Sequence, residues 1–263
     1  MNDKVSIVIR NKNESKALDT ILNMLNSLYS EYIHEIIIVD NKSTDSSIQV
    51  AKKHNCKIVN IDKFTYGKAI NVGIEAALSN YVLLLSSHAM PIGNHFFYNA
   101  LSAIKKDINI AGVRFVNSIE NYQRAIDNDF NVKEPLKFGL MAACSLINKQ
   151  AWNKIKFNQD LVANEDKEWS MRVVNEGYRI IDVNETYFYF IKRTDKGLIN
   201  RYRNETLADY QLSNKKPPNL IRVVLEFIKK IFVINIKTFF KTLKIDFLIF
   251  IERIKIIQKL KNQ

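Results

Sequence analysis

The sequence predicts an α/β fold built on a largely parallel sheet, and three observations carry that expectation. Strand-like and helix-like segments alternate through four strands in about the first 85 residues. The fourth run, Tyr81, Val82, Leu83, Leu84 and Leu85, is apolar without alternation, as a strand covered on both faces requires. That run stops abruptly in Ser86, Ser87 and His88, with Pro91 close behind. Open α/β sheets bind ligands outside the carboxyl ends of their strands. Residues 86–88 are therefore expected at the floor of a cleft, the alternative being an ordinary polar turn.

Residues 5–9 form a β-branched strand that runs into a polar loop, Arg10-Asn11-Lys12-Asn13-Glu14. A helix follows, with Leu18, Ile21, Leu22, Leu25 and Leu28 at helical spacing. Residues 35–39 are a second strand, ending at Asp40; Ser46 and Gln49 then have the capping-box spacing that starts a helix. Residues 57–61 are a third strand, and Gly67 and Lys68 open a helix whose apolar face is Ile70, Ile74, Ala77 and Leu78. The GxGxxG fingerprint and a Walker A sequence are absent. The loops after the first two strands offer Glu14 and Asp40 instead. Carboxylates do not cradle phosphates, but they accept hydrogen bonds from a ribose or from the N–H edge of a base.

Residues 111–115 read as a further strand. Residues 117–137 are polar with few apolar positions and are expected as a long surface loop. Residues 139–147 are apolar with small members, Ala142, Ala143, Cys144 and Ser145, which suits either backbone approach to a ligand or plain core packing. Glu165 and Asp166 precede a short helix ended by Gly177. An acid there is either a cap or a functional carboxylate oriented at the positive end of the helix. Residues 186–191, Thr-Tyr-Phe-Tyr-Phe-Ile, form an aromatic strand.

A chain of 263 residues that is 47% hydrophobic forms one large domain, with or without an appendage. Cys56 and Cys144 lack metal-like spacing, which argues for a reducing compartment. No secretory signal is expected, because no basic region precedes an apolar core at the N-terminus. No run of about 18 uncharged apolar residues predicts a spanning helix. The net charge is +12, and twelve basic against three acidic residues from Lys215 onward place +9 of it in the tail. The nearly neutral remainder argues against nucleic acid as a partner.

The order of these segments carries a resemblance. The Asn-x-Glu after the first strand, IIIVDNKSTDSS (36–47), FTYGKAINVGIEAA (64–77), the buried strand and EDKEWSMRVVNEGYRIIDV (165–183) together resemble the family-2 glycosyltransferases of GT-A fold, over roughly residues 4–190. The resemblance implies an inverting transfer of a sugar from a nucleotide-sugar donor to a glycan or lipid-linked acceptor, in the synthesis of a bacterial capsule, lipopolysaccharide or other surface polysaccharide. It places Arg10, Asn13, Glu14, Asp40, Ser43, Gly67, Lys68, Asn71, Ser87 and His88 against the donor. Cys144, Ser145 and Trp169 become acceptor contacts, although a helix tryptophan also reads as core. Glu165 and Asp166 become the catalytic pair, with Asp166 deprotonating the acceptor hydroxyl.

The chain departs from the family pattern in two places. Most relatives carry an aspartate at the position of His88, in a DxD-like signature that holds a divalent metal on the donor's diphosphate; here the signature reads Ser86-Ser87-His88. Phe190 or Ile191 stands where many relatives end the aromatic strand in histidine. Mg²⁺ and Mn²⁺ favour oxygen ligands, so a metal-independent enzyme is expected, with His88 and Lys68 donating to the donor phosphate. One alternative is Mg²⁺ or Mn²⁺ held mainly through donor oxygens. Another is a module that binds a sugar nucleotide or glycan without catalysis, held at the membrane. A CMP-linked acidic sugar, with a single phosphate charge, is a donor such a site could take. A nucleotidyltransferase of related fold would need a basic phosphate-activating loop near the N-terminus, which this chain lacks.

After Lys215-Lys216-Pro217-Pro218 the composition shifts. Val233, Ile236, Phe240, Leu243, Phe247, Phe250, Ile254 and Ile257 recur at alternating spacings of 3 and 4, and Lys230, Lys237, Lys241 and Lys244 share a face. A basic amphipathic helix on an anionic membrane surface is expected. A coiled-coil homodimer and packing onto the catalytic domain are the alternatives. The expected organisation is thus a GT-A domain over residues 1–200 and a helical extension over 201–263, in a cytoplasmic enzyme peripheral at the inner face of the plasma membrane.

Overall fold

The structure is a computed structural model and describes residues 4–213 and 216–261. Lys215, counted in the charge of the tail, lies outside the described residues. The chain divides into two compact units, residues 1–212 and 213–263.

The first unit runs β1 (Val5–Asn11), α1 (Ser15–Leu28), β2 (Ile33–Asp40), α2 (Ser47–Lys53), β3 (Lys57–Asn60), α3 (Tyr66–Ala76), β4 (Tyr81–Ser86), β5 (Ala89–Ile92), α4 (Phe96–Ile104), β6 (Ile110–Phe115), α5 (Ile119–Asp127), α6 (Pro135–Phe138), β7 (Cys144–Asn148), α7 (Lys149–Lys154), α8 (Glu165–Asn175), β8 (Arg179–Val183), β9 (Thr186–Tyr189) and α9 (Asp195–Ser213). Seven strands form one sheet in the order β3-β2-β1-β4-β7-β6-β8, and β5 pairs with β9 in a second. Strand β7 alone runs antiparallel to its neighbours in the large sheet. The carboxyl ends of β1, β2, β4, β6 and β8 therefore share one edge, where the site is expected.

Alternating residues along these strands feed two cores. Ile7, Ile9, Ile38, Leu83, Leu85 and Phe115 pack with α1 and α4 on one face, and Val8, Val39, Leu84 and Ile147 pack with α3, α7 and α8 on the other. Two-sided burial explains why Tyr81–Leu85 shows no alternation. Leu18, Ile21, Leu22 and Leu25 are buried as the helical spacing predicts, but Leu28 and Leu78 are 62% and 73% exposed at the ends of their segments. α2 starts after Ser46 as expected, without a side-chain bond from Ser46; the Asp45 carboxylate accepts from the Ser47 N–H instead.

Three expectations are corrected. Residues 117–137 hold two helices rather than one long loop: Ser118 caps α5 by accepting from the Asn121 N–H. Only Ala125 of α5 is buried, so its polar composition concealed it. Cys144 and Ser145 lie fully buried on the central strand β7, opposite Leu85 and Leu84, and cannot meet an acceptor. Trp169 is fully buried and stacked on Phe157 at 4.8 Å, so it is a core side chain and not a sugar platform. The residue 200/201 boundary falls inside α9.

The second unit is helical. Asn219 caps α10 (Leu220–Lys229), which continues through a π-helical turn, Lys230–Asn235, into α11 (Ile236–Lys261). Val233 falls in the π turn, whose wider pitch breaks the 3–4 spacing. From Ile236 onward Phe240, Leu243, Phe247, Phe250, Ile254 and Ile257 keep it, and all are exposed. No helix among the described residues is long and apolar enough to cross a membrane.

Candidate active site

The strand registers assemble the first half of the site. Asn11 lies opposite Asp40, and Arg10 lies opposite both Val39 and Ser86. Arg10 thus belongs to the strand rather than to the loop. The buried Asp40 carboxylate accepts from the Ser43 N–H at 2.8 Å, the Ser43 hydroxyl at 2.6 Å and the Asn11 amide at 3.0 Å. Asn13 adopts φ 53°, a left-handed conformation that asparagine tolerates. Its side-chain Oδ1 accepts from Thr44 N–H at 2.6 Å and ties the β1 loop to the β2 loop. The result is a prefolded polar rim at the ends of β1 and β2. Asn11, which sequence reasoning passed over, is 4% exposed, and its Oδ1 has no hydrogen-bond partner.

His88 follows β4. Its Nε2 is 3.4 Å from a Glu14 oxygen, and its ring meets Phe190 edge-on at 5.7 Å. Ser87 is buried. Lys68 is half-buried on the first turn of α3, and its ammonium has no ion pair among the described residues. Gly67 and Asn71 are engaged elsewhere. A Cβ on Gly67 would collide with the Asn158 carbonyl oxygen, so the glycine serves a close backbone crossing. The Asn71 amide bonds Phe157 N–H, Phe157 C=O and the Trp152 indole, all in the core. Both are structural rather than donor contacts, because their surfaces are filled by the 152–159 segment.

Glu165 and Asp166 open α8 over the same edge. Asp166 is half-buried; one oxygen accepts from Ala142 N–H at 2.9 Å and the other from Lys167 N–H at 2.9 Å. Each oxygen keeps a free lone pair. Glu165 is 5% exposed, and its partner is Arg10 at 3.3 Å. Burial pushes the Glu165 carboxyl up to about 7, the Asp166 carboxylate adds to the rise, and Arg10 opposes it. Arg10 also donates to the Ala142 carbonyl and lies over the Tyr66 ring at 5.3 Å. Its place is therefore a strut between β1 and the start of α8, which directs it away from the donor contact expected of it. A hollow of about 470 Å³ runs along the outer edge of β8 between Asn99, Lys106, Asn131 and Arg179, and none of the expected site residues lines it.

Residues 6–170 match the family model "Glycosyl transferase family 2". The chain belongs to that family. A dolichyl N-acetyl-α-D-glucosaminyl phosphate 3-β-D-2,3-diacetamido-2,3-dideoxy-β-D-glucuronosyltransferase of Methanococcus voltae is 27% identical over 203 residues, 67% of this chain and 63% of the relative. A poly(ribitol-phosphate) β-glucosyltransferase of Bacillus spizizenii is 26% identical over 211 residues, 72% of this chain and 32% of the relative. The chain thus spans less than two thirds of each. The mannosyltransferase PcManGT from Pyrobaculum calidifontis, solved with GDP-Man and Mn²⁺, superposes with a TM-score of 0.64 at 15% identity, covering 82% of this chain and 66% of its own. Glucosyl-3-phosphoglycerate synthase from Mycobacterium tuberculosis, solved with Mn²⁺, UDP-Glc and phosphoglyceric acid, gives 0.61 at 14% identity, covering 81% of each. The fold of the chain is the GT-A fold of these neighbours.

Solved neighbours hold Mn²⁺ with their nucleotide sugars, so the family-2 site invites a test for metal. Among the described residues no group of three or more His, Cys, Asp or Glu could hold an ion. At the DxD-like position only His88 and the Glu14 carboxylate come together. One imidazole and one carboxylate do not provide the oxygen-rich shell that Mg²⁺ or Mn²⁺ takes. These two side chains alone do not complete the shell of the metal that the fold family implies, and an ion here would rest mainly on the donor's own phosphate oxygens.

Proposed function

We propose that the enzyme transfers a sugar, with inversion and without a metal, from a nucleotide-sugar donor to a glycan or lipid-linked acceptor of a bacterial surface polymer. The observation that carries this reading is the fixed Asp166 carboxylate, with one lone pair free on each oxygen, on the strand-end edge that also holds the Asn11–Asp40–Ser43 rim. The rim accepts hydrogen bonds from the nucleoside. Asp166 takes the acceptor proton as its oxygen attacks the anomeric carbon, and the bond from that carbon to the phosphate oxygen breaks with its electron pair leaving on the nucleotide. Lys68 and His88 offset the phosphate charge that then develops. The names of the two curated relatives, one acting on a dolichyl-linked sugar phosphate and one on poly(ribitol-phosphate), support an acceptor of the surface-polymer kind. A CMP-linked acidic sugar remains a donor compatible with the small cationic complement.

Turnover should survive EDTA, and His88→Ala should lower turnover more than nucleoside binding. Complete loss of activity in EDTA, restored by Mn²⁺ or Mg²⁺, would overturn the metal-independent mechanism. Donor hydrolysis without acceptor separates this enzyme from a binding module, which would release no free nucleotide.

The second unit supports placing the enzyme peripherally at the inner face of the plasma membrane. In α11, Phe240, Phe247 and Phe250 are exposed, and Lys237, Lys241 and Lys244 follow at helical spacing beside them. A predominantly basic helix with an aromatic face suits an anionic bilayer, each basic residue contributing on the order of 1 kcal/mol near its surface. Full-length protein should co-sediment with anionic vesicles at low salt, and a chain ending at Ser213 should not. A full-length chain that stays in the supernatant and dimerises through this helix would contradict the membrane assignment.

A further inference from the structure

A second cluster of charge lies on the same sheet edge, outside the machinery described above. Arg114 on β6 lies opposite Ser145 on β7 and Asp182 on β8. Arg114 is 3% exposed and its Nη1 is 3.5 Å from Asp182 Oδ1. Arg124, from α5, donates to that same oxygen at 2.7 Å. Two guanidinium groups therefore share one oxygen of one carboxylate. The Nε and Nη1 of Arg114, the Nε of Arg124, Oδ2 of Asp182 and the Ser145 hydroxyl are buried without a hydrogen-bond partner. Burial holds Arg114 below the usual arginine value; Asp182 opposes that shift, Arg124 adds to it, and Tyr187 and Asp166 also act on the group.

Uncompensated buried charge is costly, and unused buried donors are rarely left so. The cluster carries one cation more than it has anions to match. It is also wired to the base. Arg114 donates to the Asn121 side-chain Oδ1, and the Asn121 Nδ2 donates to the Asn117 Oδ1. Asn117 donates to the Tyr187 hydroxyl, which reaches Met141, next to the Ala142 N–H that holds Asp166. The cover over the cluster is α5, which buries only Ala125 and is held down by the polar ties of Asn121 and Arg124.

We propose that Arg114 on β6 and Arg124 on the α5 helix that covers it form the seat for an oxyanion of the acceptor, a phosphate or a sugar carboxylate near the reacting hydroxyl. This deepens the transferase reading and rests on it for the word acceptor. The anion supplies the missing negative charge and takes over the free guanidinium donors, which match planar or tetrahedral oxyanions. As α5 shifts outward, carrying Arg124, the anion bridges Arg124 to Arg114 in place of the direct Arg124–Asp182 and Arg114–Asn121 ties.

The test uses the full chain and needs no turnover, so its failure and the failure of the transferase assay are separate events. Inorganic phosphate and glucuronate are titrated in thermal unfolding against chloride of equal ionic strength. Phosphate at about ten times its dissociation constant should raise the midpoint by about 3–5 °C. Arg124→Gln and Arg114→Gln should abolish that rise, and the Lys68→Ala/His88→Ala protein should keep it. A response to phosphate alone makes the acceptor group a phosphate; a response to glucuronate makes it a carboxylate. The proposal is overturned if neither anion acts on the wild type, or if Arg124→Gln keeps the rise while Lys68→Ala/His88→Ala loses it, which would put the phosphate at the donor site. Should the arginine variants not fold, the Lys68→Ala/His88→Ala protein decides alone: a retained rise supports the seat and a lost rise removes it.

Discussion

At the ends of β1 and β2, one carboxylate is matched by neutral donors: Asp40 takes Asn11 and Ser43, and Asn13 ties the two loops together. At the ends of β6 and β8, two arginines crowd one oxygen of Asp182 and leave other polar atoms unmatched. Between them stand Asp166 and Glu165, one held by backbone N–H groups, the other held by Arg10 with its proton affinity raised. The first region is balanced in charge, and its one unmatched atom, the Asn11 Oδ1, is a neutral acceptor that suits a nucleoside N–H or O–H. The second is unfinished in charge, and a buried region unfinished in charge is one that a ligand or water completes. On this account the donor rim is prefolded and the acceptor side completes itself on binding.

The contrast can be broken at the carboxyl between the two regions. Glu165 in the folded chain loses its proton at about 7, against an ordinary value of 4.5. Between those values the folded chain holds a proton that the unfolded chain has released. The stabilising contribution is therefore complete below the ordinary value, fades as pH rises and is gone above about 7. Urea unfolding of wild type should lose on the order of 2–3 kcal/mol more between pH 5 and pH 8 than Glu165→Gln does. Parallel curves for the two proteins would show that Glu165 is not held protonated by burial.

The donor rim makes a smaller and different claim. Asp40→Ala removes three hydrogen bonds of the rim, and a charged hydrogen bond is worth about 1.5–3 kcal/mol. Calorimetry should show nucleotide affinity falling by about 10-fold or more, while the phosphate response of the Arg114–Arg124 seat is unchanged. Unaltered nucleotide affinity would take Asp40 out of the site, and loss of both responses would merge the two regions into one.

The same contrast explains what could be read from the chain alone. The donor half is made of short strand–loop–helix units, so Asp40, Ser43 and Asn13 are assembled by neighbours in sequence and in the sheet. Their loops are polar and their strands apolar, and both signals are local. The acceptor half depends on β7 entering the sheet antiparallel between β4 and β6. That insertion turns Cys144 and Ser145, whose small size suggested a ligand wall, into core positions. Trp169 and Asn71 likewise read as site residues because their types suit sugars and donors, and both are consumed by the 152–157 segment, a dozen or more positions away from either. Arg114 and Asp182 gave no signal, since a single charge inside an apolar strand reads as an interruption until its partner strand is known. α5 was hidden because a helix that buries one alanine has the composition of a loop.

The central claim is that Asp166 is the base and not only a residue at the start of a helix. The decisive measurement is the turnover of Asp166→Asn beside its nucleotide affinity. The substitution keeps an oxygen for one of the two backbone donors, Ala142 N–H and Lys167 N–H, so the start of α8 should stay in place. Transfer should fall by about 10²–10⁴-fold, the usual cost of losing a general base, with nucleotide affinity nearly unchanged. A variant that keeps more than about a tenth of wild-type turnover, a loss far below that range, would contradict the account and leave Asp166 as a structural carboxylate.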